Sequence, residues 1–297
     1  MILETRSRSV LFPRRPLVMG IINLNDDSLS HDGTLDVDRA LRHARTLVEQ
    51  GADLIDVGGE SARTNRPPIA EGEEIRRVFP FVERFREVHG GMAPVDAEQL
   101  FPPLLSLNTW RPAVGHAVLP IGCDLLNDLG ALPTDDNARL AAAHGVALLI
   151  MHSVGLPKQP HTDVHYADVM HTLEDFFEVK IAQATAAGLR REAIVLDPGI
   201  DFAKQKKDNL RILRELDSLR RFERPILMPV SRKTVIGEVL GKSDARERDA
   251  GTVACVVAGM LRGASIFRVH NVHAVSQAVR VIWRTIEGTE TDAGGSR

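Results

Sequence analysis

Residues 16–30 read PLVMGIINLNDDSLS and residues 54–63 read LIDVGGESAR. In each, a short aliphatic run gives way to a polar or glycine-bearing segment, the pattern of a strand buried on both faces that ends in a functional loop. These runs place the first two strands at Leu17 to Asn23 and Leu54 to Val57. Working outward, further runs follow at Leu104 to Leu107, Asp124 to Asn127, Ala147 to Met151, Ile194 to Asp197, Pro225 to Val230 and Ser265 to Val269. Longer helical patterns separate them, and an alternation of about eight strand–helix units predicts a parallel sheet closed as a TIM (β/α)8 barrel in a single α/β domain. The expected organisation is an N-terminal arm over residues 1–15, the barrel over 16–288 and a flexible tail over 289–297.

The helical patterns support this. Ile75, Val78, Phe79, Val82, Phe85 and Val88 recur at three- and four-residue steps opposite the charged Glu73, Arg77, Glu83 and Arg86, which predicts one barrel-covering helix. Val169, Leu173, Phe176, Phe177 and Ile181 mark another, ending near Gly188, a residue suited to a left-handed cap; Gly51 ends the first helix in the same way.

The chain has 297 residues, 43% hydrophobic and 26% charged, with a formal net charge of −3. That balance suits a large soluble core and supplies no global basic field for nucleic acid or an anionic membrane, so neither partner is expected. Small molecules are the expected partners and a homodimer the expected assembly. The cysteines, Cys123 and Cys255, form no framework or metal-ligand spacing and read as reduced thiols. With no apolar leader pattern and no membrane-length apolar run, the expected location is cytoplasmic. Arg6, Arg8, Arg14 and Arg15 read as a solvated basic arm.

In a barrel of this kind, groups at the C-terminal ends of the strands converge on one mouth. Arg63, Arg268 and His270 would there offer donors to an anion with several oxygens, such as a diphosphate. Asn127 and Asp197 could read the donor–acceptor edge of a flat heterocycle, Asp197 being the better anchor because a carboxylate accepts two parallel hydrogen bonds. Asn23, by residue type alone, is a turn-former or a hard oxygen ligand. Thr234 opens a helix, where a hydroxyl and free backbone N–H groups take a carboxylate or simply cap the helix. Lys204 is set aside as a Schiff-base lysine because nothing in the sequence predicts desolvated surroundings for it.

The segments Asn23 to Leu29, Asp56 to Arg63, Asp197-Pro198-Gly199, Ser231-Arg232-Lys233-Thr234 and Arg268-Val269-His270 resemble, in residues and in order, the dihydropteroate synthase family of pterin-binding enzymes, from Leu17 to His273. The resemblance implies a transferase that joins 6-hydroxymethyl-7,8-dihydropterin diphosphate to 4-aminobenzoate, releases diphosphate, and is a sulfonamide target. It implies a magnesium ion on Asn23 and catalytic roles for Arg63, Lys233, Arg268 and His270. Pterin contacts fall to Asn108, Asn127, Asp197 and Lys233, and acceptor contacts to Leu29, Ala62, Arg63 and Thr234.

Some positions depart from the family pattern. Leu29 stands where the family has Phe, Ala62 and Thr64 where it has Thr and Pro, Asn108 where it has Asp, and Asp201-Phe202-Ala203-Lys204 where it has Gly-Phe-Gly-Lys. Leu29 offers no aromatic face, Ala62 no hydroxyl, and Thr64 no fixed backbone angle. Asn108 lacks the charge of Asp, so the expectation is that Asn108→Asp speeds the reaction. The alternative reading is a diverged relative that binds a pterin but uses another acceptor, or does not turn over. A pterin-dependent methyltransferase on the same barrel gives no reason for polyanion donors.

Overall fold

The computed structural model describes residues 1–26, 33–62, 64, 66–159 and 161–287. Leu29 and Arg63, and the tail over 289–297, lie outside the described residues.

Two short strands, β1 (Ile2–Glu4) and β2 (Ser9–Leu11), pair antiparallel as a hairpin. The barrel strands follow: β3 (Leu17–Asn23), β4 (Leu54–Gly58), β5 (Leu104–Asn108), β6 (Leu125–Asp128), β7 (Ala147–Met151), β8 (Ile194–Asp197), β9 (Leu227–Met228) and β10 (Ile266–Val269). They form one eight-stranded sheet in the order β8-β7-β6-β5-β4-β3-β10-β9, every pair parallel. A parallel bridge between Leu196 and Ile226 joins its two ends and closes the barrel. Around it stand α1 (Val37–Glu49), α2 (Glu71–Glu83), α3 (Arg86–His89), α4 (Pro112–Gly122), α5 (Asp136–His144), α6 (Val169–Ala186), α7 (Lys206–Glu215), α8 (Thr234–Leu240), α9 (Asp249–Leu261) and α10 (Val272–Glu287).

The two-residue period of a strand sorts the barrel into layers. Leu17, Met19, Leu54, Leu104, Leu125, Ala147, Leu149, Val195, Leu227 and Ile266 point inward and form one apolar cluster. The alternate residues, such as Val18, Ile55, Leu105 and Leu148, join the larger cluster between the strands and the helices. Continuing the inward set by two residues toward the strand ends reaches Asp56, Ser106, Asn127, Asp197 and Arg268, and two more on the third barrel strand reach Asn108. The registers Asp56↔Ser106, Gly58↔Asn108 and Asn108↔Asn127 put these polar groups at neighbouring heights. The barrel is therefore apolar below and polar at its C-terminal mouth.

The hairpin closes the other end, for Leu3, Val10 and Phe12 are buried against the inward apolar cluster. The basic arm is accordingly not all solvated. Arg15 is 2% exposed and ion-pairs with buried Asp53 at 2.9 Å, while Arg6 and Arg8 donate to the main-chain oxygens of Leu119 and Phe101. A buried guanidinium needs such partners, which composition alone does not reveal.

Two elements differ from expectation. The strand predicted over Pro225 to Val230 contracts to Leu227–Met228, because Pro225 and Pro229 have no N–H to give the ladder. The helix predicted through Val88 breaks at Arg84, whose ψ of 6° leaves the helical region, and its buried aromatic is Phe81 rather than Phe79. The caps hold as read: Gly51 and Gly188 have φ of 100° and 97°.

Candidate active site

The polar layer opens into a cavity of about 540 Å³, a volume suited to a small ligand. Asn23, Ala62, Asn108, Asp197, Lys233, Thr234, Arg268 and His270 all line it. Residues from six strand ends thus meet in one place. Asn127 stands behind this surface, 1% exposed.

At the floor, Asp56 is fully buried and gathers four partners. Its carboxylate accepts from Ser106 Oγ at 2.5 Å, Asn108 Nδ2 at 3.1 Å, Asn127 Nδ2 at 3.2 Å and Arg268 Nε at 2.7 Å. These bonds fix the rotamers of both amides and the arginine. They also use the amide nitrogens, leaving the Asn108 and Asn127 oxygens buried without a partner among the described residues. Buried acceptors of this kind take their donor from ordered water or from a ligand.

Asp197 lies across the cavity at the end of β8. Burial pushes its carboxyl up to about 6, against the lowering influence of Lys233, Lys204 and Arg268. Its Oδ1 accepts from Gly199 N at 2.7 Å, so the Asp-Pro-Gly turn serves to hold the carboxylate. Gly199 has a φ of 68°, and a Cβ there would lie 2.0 Å from the His152 carbonyl oxygen. Only glycine fits.

Lys233 Nζ sits 4.6 Å above the Phe202 ring, its pKa lowered by desolvation and partly restored by Asp201 and Asp197. His270 Nδ1 lies 2.8 Å from Ser231 Oγ, which also accepts from His270 N at 3.1 Å, so the loops after β9 and β10 brace each other. Arg232 instead turns to Asp249 on α9, with contacts of 2.7 and 3.0 Å.

The loop after β8 supplies the surroundings of Lys204 and Thr234, which the sequence did not report. Lys204 is deeply desolvated: its Nζ contacts His152 Nδ1 at 2.9 Å and the Gly199 and Phe202 carbonyl oxygens at 3.0 Å. Burial brings it down to about 7 and His152 to about 3. Those partners make Lys204 a strut for the loop that carries Asp201 and Phe202. Thr234 lines the cavity as expected, but its backbone N–H is not free: it donates to Asp201 Oδ2, and Val235 N donates to Asp201 Oδ1 at 3.3 Å.

On the opposite rim, Glu60 receives Arg111 at 2.7 Å and Lys158 at 3.5 Å, while Lys158 also donates to the Ser61 carbonyl oxygen at 3.0 Å. Glu74, on α2, shares Arg111, and burial raises its pKa. Lys158 thereby ties the loop after β7 to the loop after β4.

Comparison with known proteins agrees with this geometry. The family model for pterin binding enzymes matches residues 19–270. The chain is 34% identical to the Escherichia coli dihydropteroate synthase over 277 residues, covering 93% of each. The chain belongs to the dihydropteroate synthase family. Among solved structures, a Yersinia pestis dihydropteroate synthase in a sulfonamide drug complex superposes with a TM-score of 0.87 at 34% identity, covering 97% of this chain and 100% of that one. A Coxiella burnetii dihydropteroate synthase in complex with pteroic acid gives 0.83 at 28% identity, covering 97% and 100%. Dihydropteroate synthases are transferases, and the barrel described above is theirs.

Within this dihydropteroate synthase framework, sequence reasoning assigned no contact to Asp56, Asp201 or the Glu60–Lys158 pair. Asp56 carried a usable signal, since it sits two residues beyond inward-facing Leu54 and two before Gly58. Asp201 and Lys158 are placed by loop geometry, with φ of 66° and 67°, which no periodicity reports.

Proposed function

We propose that the protein condenses 6-hydroxymethyl-7,8-dihydropterin diphosphate with 4-aminobenzoate to give 7,8-dihydropteroate and diphosphate. The observation that carries this reading is the pairing, in one cavity, of a heterocycle-reading wall with a cationic wall. Asp197 and the Asn108 oxygen, which has no partner among the described residues, are acceptors for the amino and ring N–H groups of a pterin, with Asn127 behind them as the next acceptor inward. Lys233 donates to its carbonyl and ring nitrogen. Arg268 and His270 face the diphosphate, a task for which a guanidinium held by Asp56 is well suited.

In the reaction, the exocyclic C–O bond breaks and its electron pair leaves on diphosphate. The electron-rich ring carries the resulting positive charge on the methylene, close to the buried Asp56 carboxylate. The aryl amine then attacks the methylene, forms the C–N bond and loses a proton to solvent or diphosphate. Catalysis on this account is electrostatic and positional, with no covalent enzyme intermediate.

A magnesium ion fits this scheme as a companion of the substrate. Asn23 offers one neutral oxygen at the cavity wall, and no group of three metal-ligating side chains stands together among the described residues. Such a donor set suits magnesium that arrives on the diphosphate and keeps phosphate oxygens and water in its shell. When bound it would neutralise charge on the leaving group.

The test is to incubate the protein with magnesium, the pterin diphosphate and 4-aminobenzoate and to quantify diphosphate and dihydropteroate together. Equal amounts of both are expected; release of neither at high enzyme concentration would overturn the proposal.

A further inference from the structure

Asp201 lines the cavity beside Thr234. Its oxygens receive the backbone N–H groups of Thr234 and Val235, and Asn209 locks it from the other side, taking Asp201 N at 2.8 Å and donating to Oδ1 at 3.2 Å. Asp201 and Ala203 adopt φ of 66° and 51°, the region where the family pattern has glycine at both positions. Both positions here carry a side chain on a left-handed backbone. A non-glycine residue there is held against local strain, and here the bonds from Thr234, Val235 and Asn209 hold it.

We propose that Asp201 is a specificity-determining residue that competes with the acid group of the acceptor, disfavouring arylamines with a negatively charged para substituent relative to neutral ones. The inference rests on the function proposed above and on the family resemblance, which implies that the acceptor's acid group lies at Thr234. An incoming carboxylate meets donors already taken and a like charge beside them. A neutral amide at the same place loses less, because its N–H groups donate to Asp201. Acceptor affinity is weakened for 4-aminobenzoate and little changed for 4-aminobenzamide.

Titration calorimetry on protein preloaded with magnesium, diphosphate and 6-hydroxymethyl-7,8-dihydropterin, a mixture with no diphosphate ester to cleave, measuring Kd for 4-aminobenzoate and for 4-aminobenzamide, tests this in wild type, Asp201→Gly and Asp201→Asn. Asp201→Gly is compatible with the positive φ and removes both charge and occupancy; Asp201→Asn keeps the shape and removes the charge. The expected result is tighter binding of 4-aminobenzoate by about tenfold in Asp201→Gly, the scale of one charge-assisted hydrogen bond. A smaller gain is expected in Asp201→Asn, with 4-aminobenzamide changed less than twofold, about the scatter expected of a neutral contact. Equal changes for both acceptors, no change, or weaker 4-aminobenzoate binding in both variants would overturn the proposal. Diphosphate release assayed in parallel addresses the reaction separately: its absence counts against the proposed function, while the ratio of the two affinities still decides the role of Asp201.

Discussion

Arg268 Nε donates to Asp56 Oδ2 across 2.7 Å, and the carboxylate that anchors it is fully buried while the guanidinium is 21% exposed to the cavity. The guanidinium at the cavity wall is therefore positioned by the same group that orients the Asn108 and Asn127 amides. The two halves of the site share one support.

Asp56→Asn should reduce both stability and activity. Four donors would converge on an amide that must present its own NH2 to some of them, and Arg268 would lose its partner. A loss of about 3 kcal/mol is expected, in the range for breaking a buried pair, with kcat/KM for the pterin diphosphate falling by about a hundredfold or more. Urea denaturation and steady-state kinetics on the same preparation measure the two effects.

Asn108→Asp was expected, on family pattern alone, to raise the rate, and the local geometry reverses that expectation. Asn108 Nδ2 donates to Asp56 over 3.1 Å; an aspartate would set two carboxylates at that separation, so that one must take up a proton or move. The variant should be slower than wild type at pH 8 and recover at lower pH as the pair accepts a proton. A rate above wild type at pH 8 would refute this reading of the neighbourhood.

The pH dependence of pterin binding follows from Asp197. Its carboxyl is raised by burial to about 6, so the folded, empty protein binds a proton there as pH falls through about 6, above the ordinary carboxylate range. The ionised form accepts the ring donors, hence kcat/KM for the pterin should drop on the acid side of that value. In Asp197→Asn that limb should disappear and the plateau should be lower. The pH profiles of wild type and variant measure both.

How much of this could be read from the chain depends on the kind of signal. The barrel was legible because strands buried on both faces are short, aliphatic and regularly spaced, and the strand-end groups were legible because the fold dictates where they converge. Asn23, Asp197, Lys233, Arg268 and His270 therefore lie where the strand pattern puts them. Partners were not legible. That Asp56 organises the floor, that Lys204 is desolvated by carbonyl oxygens, and that Asp201 reaches Thr234 are consequences of loop paths with positive φ and of contacts between residues distant in sequence. The contraction of β9 could have been anticipated, since Pro225 and Pro229 are visible in the sequence and neither can donate to a ladder.

Lys158→Met should separate acceptor binding from pterin binding. The change removes the contacts to Glu60 and Ser61 but leaves Glu60 paired with Arg111. The KM for 4-aminobenzoate is expected to rise by about tenfold, the scale of a lost charged hydrogen bond, while the KM for the pterin diphosphate changes little. Equal changes in both constants would mean that the link between the two loops serves the fold generally.

The central claim is that one cavity presents the ring edge to Asp197 and the diphosphate to Arg268 and His270. A crystal structure of the protein with magnesium and 6-hydroxymethyl-7,8-dihydropterin diphosphate tests it most directly. The account predicts Asp197 Oδ atoms within hydrogen-bond distance of the pterin amino and ring N–H groups, with the diphosphate against Arg268, His270 and Asn23. A pterin bound away from Asp197, or a diphosphate directed away from Arg268 and His270, would contradict it.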